Sequence, residues 1–250
     1  MNRFVQPELL DELSPDDPRA RWSRRDLRRI NAWMRHHVLM AGALRTALNG
    51  RAPEQIADLG AGDGHFLTRI ARTLSSRWPG VRVTLVDNRK VMSSQALAGF
   101  APLGWRAELV EADVLDWLST AAALEVVVIN LFLHHLEGPQ LAKLFRAIAG
   151  RARLLVALEP RRAPWPLFCC RLLWAIGCNS VTRHDAAISV RAGFSHRELS
   201  ALWPTGGGWQ LTERRTGLFS HLFVARKVSS WECADESALA RAATFCRRPK

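Results

Sequence analysis

From Gln55 onward the chain alternates short apolar runs with amphipathic helical stretches, and nothing else in the sequence restricts the fold as much. Strand-like runs are read at Gln55–Leu59, 81–86, 107–110, 125–129 and 154–158, with helical stretches between them at 66–77, 91–98, 114–119 and 139–149. Strands separated by helices pair in parallel. Right-handed crossovers then bring every strand's C-terminal end to one edge of the sheet, where ligands bind in such folds. Two later runs, 209–214 and 218–225, predict a terminal strand pair. The expected fold is α/β, a doubly wound, seven-stranded, mostly parallel sheet with helical lid insertions.

Outside that alternation the pattern changes. Residues 1–22 hold Pro7, Pro15 and Pro18 and read as a loose leader. From Ser23, a candidate cap, to Leu48 the apolar residues Leu27, Ile30, Trp33, Met34, Val38 and Leu44 recur at helical spacing, opposite Arg24, Arg25, Arg28, Arg29 and Arg35. Residues 23–50 are therefore expected to form a helical lid. After Pro160, residues 165–177 read as an apolar helix suited to core burial, residues 179–194 as an irregular polar loop, and residues 195–203 as a short helix opened by Ser195 with Glu198 three residues on. The 161–194 stretch is expected to be a lid or substrate insertion in a domain spanning 51–228, followed by a tail over 229–250.

The formal net charge of +12 resembles a nucleic-acid signature, but only four of the 35 basic residues are lysine and there is no tyrosine. That profile reflects a compositional bias toward Arg, which raises charge without building a basic groove. Attraction to anionic surfaces or substrates still follows. The five cysteines form no CxxC pair, so neither a zinc pattern nor a secreted disulfide framework is present, and a reducing cytoplasm is expected. Glu8, Asp11 and Glu12 stand where a signal peptide would be apolar. The most apolar stretch, 164–178, is shorter than the roughly 20 residues that span a bilayer and contains Arg171.

The first strand-to-helix turn reads Asp58-Leu59-Gly60-Ala61-Gly62-Asp63-Gly64. Glycines there let backbone approach a ligand closely, and the helix that follows offers free N–H groups to an anion. A dinucleotide fingerprint would need its third glycine one position later, where this chain has His65. Carboxylates follow at the ends of the next two strands. Asp87 suits both ribose hydroxyls, and Asp113 suits an adenine amino group, although Asp113 alone also reads as a helix N-cap. With Asp58 placed for an ammonium group, the set fits a nucleoside ligand that carries a sulfonium and no pyrophosphate.

On these residues, 56–160 resembles the core of class I S-adenosylmethionine-dependent methyltransferases, including a fourth-strand end of Asn130-Leu131-Phe132-Leu133-His134-His135-Leu136. The resemblance implies a Rossmann-like methyltransferase fold, S-adenosyl-L-methionine as cofactor, and cofactor contacts from Asp58, Gly60, Gly62, Gly64, Asp87, Asp113 and Asn130. No Pro-Pro pair follows Asn130 as in enzymes that methylate exocyclic amino groups, and no cysteine precedes residue 169 as a cytosine-C5 enzyme would require. Neither the paired glutamates of protein arginine methyltransferases nor a catechol-type acidic triad is found. The absences point to a metal-free enzyme acting on a small molecule.

The Leu-His-His-Leu segment, Arg28-Arg29-Ile30-Asn31, Thr182-Arg183-His184-Asp185, Ser189-Val190-Arg191 and Phe194 resemble bacterial methyltransferases encoded beside type III polyketide synthases. That resemblance implies O- or C-methylation of a phenolic or polyketide-type metabolite in secondary metabolism. The chain departs from it at Met34-Arg35-His36-His37, where a small-residue loop is expected. His134, His135 and His184 are the candidate bases; a helix cap is the plainer reading of the first two, and a self-tied loop of the third. Arg183, Asp185 and Arg191 are candidate acceptor contacts, with surface charge as the plain alternative for the arginines. An RNA acceptor held by the Arg-rich first helix, a nicotinamide enzyme, and a non-catalytic cofactor-binding protein remain open readings. Peripheral membrane contact through the same helix also remains open, and no stable protein partner is implied.

Overall fold

The computed structural model describes residues 1–14, 16–89 and 94–228 of the chain. The tail expected over 229–250 lies outside the described residues. Three helices come first: α1 (Leu9–Glu12), α2 (Pro18–Trp33) and α3 (His36–Ala47). The alternating core follows as β1 (Gln55–Leu59), α4 (His65–Leu74), β2 (Arg82–Asp87), α5 (Ser94–Ala98), β3 (Arg106–Glu111), α6 (Val114–Thr120), β4 (Leu124–Asn130), α7 (Gly138–Arg151) and β5 (Ala152–Pro160). Three helices, α8 (Pro164–Cys170), α9 (Ser180–Ala192) and α10 (Glu198–Leu202), then lead to the hairpin β6 (Trp209–Thr216) and β7 (Ser220–Lys227).

The seven strands form one sheet in the order β3-β2-β1-β4-β5-β7-β6. β1 to β5 are parallel, and β7 pairs antiparallel with both β5 and β6. The expected fold class is the observed one. The order reverses between β1 and β4, so a crevice opens at their C-terminal ends. Central strands covered on both faces read as continuous apolar runs, as in the Val126–Ile129 stretch of β4, whereas edge strand β6 alternates exposed and half-buried positions.

Alternation along the strands divides the core into two layers. Ile56, Val126, Val128 and Val156 pack against Met40 and Leu44 of α3 and Leu67 and Ile70 of α4. Ala57, Val127, Ile129 and Leu155 pack on the other face against Leu118 of α6 and Leu141, Leu144 and Phe145 of α7. The α7 start is fixed by a capping box between Glu137 and Gln140.

Four stretches differ from the sequence reading. In the first 22 residues, Glu8, Leu10 and Ala20 are buried, and Pro18 opens α2, a position where its missing N–H costs nothing. The cap of α2 is Asp17, which accepts from Arg19 N, while Ser23 is buried and accepts from Thr182 Oγ1. The single expected 23–48 helix is broken at Arg35, whose left-handed φ of 56° lets His36 turn inward. The expected loop over 179–194 is mostly helix α9, capped by Asn179 accepting from Thr182 N; its polar residues face α1 and α2, so the sequence lacks the apolar periodicity of a core helix. Finally, the apolar 165–177 segment is a short α8 and a 3-10 turn with its large side chains exposed.

Candidate active site

The C-terminal edge of the sheet carries a cleft of about 430 Å³. Its floor is the turn after β1. Gly60, Gly62 and Gly64 all have left-handed φ, of 75°, 57° and 70°. A Cβ at Gly60 would stand 2.7 Å from the Phe132 ring, so side chains are excluded there, whereas one at Gly62 would meet nothing within 4 Å. Gly62 N donates to Asp87 Oδ2 at 2.8 Å, and Arg89 N donates to Asp87 Oδ1 at 2.9 Å, which locks the ends of β1 and β2 together. Asn88 and Arg89 continue that wall, and Asn130 and Phe132 supply the next one.

Asp58 ends its side chain in the buried interior. Its Oδ2 has no hydrogen-bond partner, and burial, with the nearby Asp87 charge, pushes its carboxyl up to about 7. An orphaned buried carboxylate costs free energy unless a cationic group relieves it.

The remaining walls come from the chain's first 31 residues. Glu8, Leu10 and Asp11 line the cleft with Arg24, Leu27, Arg28 and Asn31 of α2. Two ion pairs tie this cover down: Arg28 to Asp63 at 3.0 Å, and Arg89 to Asp11 at 2.9 Å. Asp185 of α9 anchors it from behind by accepting from Leu9 N and Leu10 N, both at 2.9 Å. Arg3 donates to Ala192 O at 2.8 Å and Leu136 O at 2.7 Å, joining the N-terminus to the turn after β4.

That turn holds two histidines in different environments. Leu131 has a φ of 56°, a strained conformation for a non-glycine residue. Glu159, at the end of β5 and fully buried, holds the turn by accepting from Phe132 N at 3.0 Å and Leu133 N at 2.8 Å. Its Oε2 accepts from His134 Nδ1 at 2.8 Å, and His134 Nε2 faces Glu8 Oε1 at 3.4 Å. Burial alone would lower the His134 pKa, but the hydrogen bonds to Glu159 and Glu8 outweigh it and push it up to about 9. His134 is therefore held as an imidazolium between two carboxylates. His135 lies at the cleft with Nδ1 3.6 Å from Asp11 Oδ2. Burial, then the adjacent His134 charge, lowers its pKa, so it stays neutral and able to accept a proton.

Of the residues singled out from sequence, Gly60, Gly62, Asp87, Asn130, His134 and His135 line one cleft, and Asp58 lies buried at the end of β1. Gly64 caps α4 and does not line the cleft. Asp113 caps α6, its Oδ1 accepting from Leu115 N and Asp116 N, and it does not line the cleft. His184 is half exposed on α9, with Nδ1 3.0 Å from Asp185 Oδ1, and neither it, Arg183, Asp185 nor Arg191 lines the cleft. A groove of about 500 Å³ between α3 and the β6–β7 hairpin lies elsewhere and holds none of these residues.

Glu8, Asp11, Arg3 and Glu159 were not legible as site residues. For Glu159 a signal existed: it ends an apolar strand run, as Asp58, Asp87 and Asn130 do. For Glu8 and Asp11 there was none, because residues 1–22 carry no clear periodicity.

Residues 56–153 match the model of the methyltransferase domain family. Over 90 residues, or 35% of the chain, the sequence is 34% identical to a trans-aconitate 2-methyltransferase of Streptomyces avermitilis. Over 151 residues, 58% of the chain, it is 28% identical to ribosomal RNA small subunit methyltransferase A of Myxococcus xanthus. The matches span 32% and 50% of those two relatives. A plantazolicin methyltransferase solved with a triazolic desmethylPZN analog and SAH superposes with a TM-score of 0.62 at 15% identity, covering 85% of this chain and 92% of that one. The 56–153 segment is a methyltransferase domain, and the cofactor of that domain is S-adenosylmethionine.

Proposed function

We propose that this chain is an S-adenosylmethionine-dependent methyltransferase that modifies an oxygen or carbon of a small phenolic or polyketide-type acceptor, with His135 as the base. The carrying observation is that His135, neutral and facing Asp11, shares one cleft with the glycine turn, Asp87 and Asn130.

The residues present fit the cofactor. The unpartnered carboxylate of Asp58 suits a ligand ammonium, and the open space over Gly62 leaves room for a ligand against backbone. Asp87 and Asn130 are polar groups at the same edge, Asp87 for ribose hydroxyls. When bound, S-adenosylmethionine supplies an electrophilic methyl carbon on a sulfonium.

What the protein adds is alignment and proton handling. Holding two reactants in register supplies most of the acceleration for a displacement of this kind. A phenol, with a pKa near 10 like tyrosine, is a poor nucleophile until it loses its proton. His135 accepts that proton, and the imidazolium so formed is stabilised by Asp11. The N-terminal segment and α2 cover the cleft and exclude water. The 161–194 stretch supports this cover from behind through α9.

The test is methyl transfer from labelled S-adenosylmethionine to a panel of phenolic and pyrone acceptors, with the His135→Ala variant beside the wild type. The variant is expected to lose about 100-fold or more in kcat, with cofactor affinity by calorimetry unchanged within about twofold. Full activity in the variant, or no product from any acceptor, would overturn the reading. The ribosomal RNA methyltransferase among the relatives and the arginines of α2 favour a second reading, an RNA acceptor. Steeply salt-dependent RNA binding with methyl incorporation into RNA would replace the first reading by the second.

A further inference from the structure

We infer that the face formed by α8, the 3-10 turn after it and the outer stripe of α2 docks on an anionic lipid surface. Apolar side chains on a monomer are normally scattered or buried. Here Trp165, Phe168, Leu172, Trp174 and Ile176 are all about half exposed or more within twelve residues, Trp174 at 64%. Trp165 and Phe168 stack on each other at 5.9 Å, with Pro166 buried between them in sequence as the anchor. At the other end Cys178 is buried, so the segment is pinned at both ends and its large side chains stand outward.

The patch continues onto α2. Asn179 Nδ2 donates to Arg19 O, Asn179 N donates to Asp26 Oδ2, and Arg29 Nη2 donates to Ile176 O. Residues 19, 26 and 29 lie on one stripe of the helix, and position 22 lies on the same stripe. Its occupant is Trp22, 59% exposed.

Charge identifies the partner. No acidic residue occurs between Glu159 and Asp185, while Arg161, Arg171 and Arg183 do, and Arg162 is buried against Glu198. On α2, Arg21, Arg25 and Arg29 are exposed, and the one carboxylate beyond its capping Asp17, Asp26, is buried and pairs with Arg29 at 3.4 Å. Asp185 is also buried, so the exposed rim keeps a net positive charge. Tryptophans and aliphatic side chains ringed by arginines match the lipid interface, where indoles sit at headgroup level and guanidinium groups meet anionic phosphates. RNA would use the arginines and aromatics but has no use for Leu172 and Ile176. No helix of the described residues is long and apolar enough to cross a bilayer, so contact of this kind is peripheral. The opposite side of α2, through Leu27, Arg28 and Asn31, lines the cleft, which places the docking face beside the cleft.

The test is co-sedimentation of the full chain with vesicles of phosphatidylcholine alone and with about a third phosphatidylglycerol. Binding to the anionic vesicles, weakened by salt and at least about tenfold weaker to the neutral ones, is expected. Trp174→Glu combined with Ile176→Glu should weaken binding at least about tenfold more. Arg171→Glu should weaken it several-fold more than Arg153→Glu, a matched charge change at the opposite end of the sheet. No vesicle binding by the wild type, or equal binding by the double variant, would overturn the inference. A wild type that self-associates without vesicles, and a double variant that does not, would assign the face to a second copy instead.

Discussion

The buried imidazolium of His134 makes a quantitative demand on stability. Its pKa rises from an ordinary 6.5 to about 9 because the hydrogen bonds and charges of Glu159 and Glu8 exceed the cost of burial. The side chain is only 4% exposed, so solvent screening removes little of this. A shift of that size corresponds to about 3 kcal/mol in favour of the folded state, at about 1.4 kcal/mol per unit. Because the folded pKa lies above the unfolded one, the folded chain binds the extra proton. The contribution is complete below pH 6.5, erodes as pH rises, and is gone above about 9.

His134→Gln isolates it. Urea unfolding of variant and wild type between pH 6 and pH 9.5 should show a gap of about 3 kcal/mol or more at the acid end, shrinking by about that amount at the alkaline end. Asp58, with its carboxyl raised to about 7, also makes stability fall with rising pH, but it does so in both proteins and cancels in the difference. A gap that stays constant across the range would refute the argument, since no protonated imidazole would then be bridging the two carboxylates.

Three further outcomes follow from the same geometry. Asp87→Ala removes the acceptor of Gly62 N and Arg89 N and should abolish S-adenosylmethionine binding in calorimetry; undiminished affinity would remove Asp87 from the site. Gly62→Ala places a methyl group over the cleft at a φ of 57°, costing about 1 kcal/mol of stability and at least about tenfold in cofactor affinity; a neutral result would mean that no ligand approaches this backbone. His184→Ala, at a half-exposed position outside the cleft, should leave kcat within about twofold and stability within about 0.5 kcal/mol, and a large loss of activity would restore it as a base candidate.

The parallel sheet was legible because each strand run is short, apolar and separated by a helical stretch, so period and length agree. The glycine turn and the strand-end polar residues Asp87 and Asn130 were legible for a related reason, since topology alone carries strand ends to one edge. Asp113 obeys the same rule yet serves as a helix cap; a carboxylate before a helix satisfies either demand, and sequence does not separate them. The cover of the cleft was hidden. Residues 1–13 form almost no regular structure, and Glu8, Leu9 and Leu10 are held by α9 groups more than 170 positions away, Ser189 and Asp185. Helix α9 was hidden in turn because Thr182 and Asp185, bonded to α2 and the N-terminal segment, interrupt its buried face of Val181, Ile188, Val190 and Ala192.

Two adjacent histidines after β4 therefore have opposite tasks, and the division follows from what each one faces. His134 points into the protein between two carboxylates, one from β5 and one from the N-terminal segment, so it stays charged and fastens the cover to the sheet. His135 points to the cleft, where its ring centroid lies 4.2 Å from that of His134. A permanent positive charge at that distance disfavours a second one, and so the residue that stabilises the cleft also keeps its neighbour unprotonated. On the proposed reading, burial first and the His134 charge second hold the His135 pKa down, against the raising charges of Glu8, Asp11 and Glu159. Docking of residues 1–13 brings Glu8 to His134 and Asp11 to His135 together, so the cover and the surroundings of the base assemble at once.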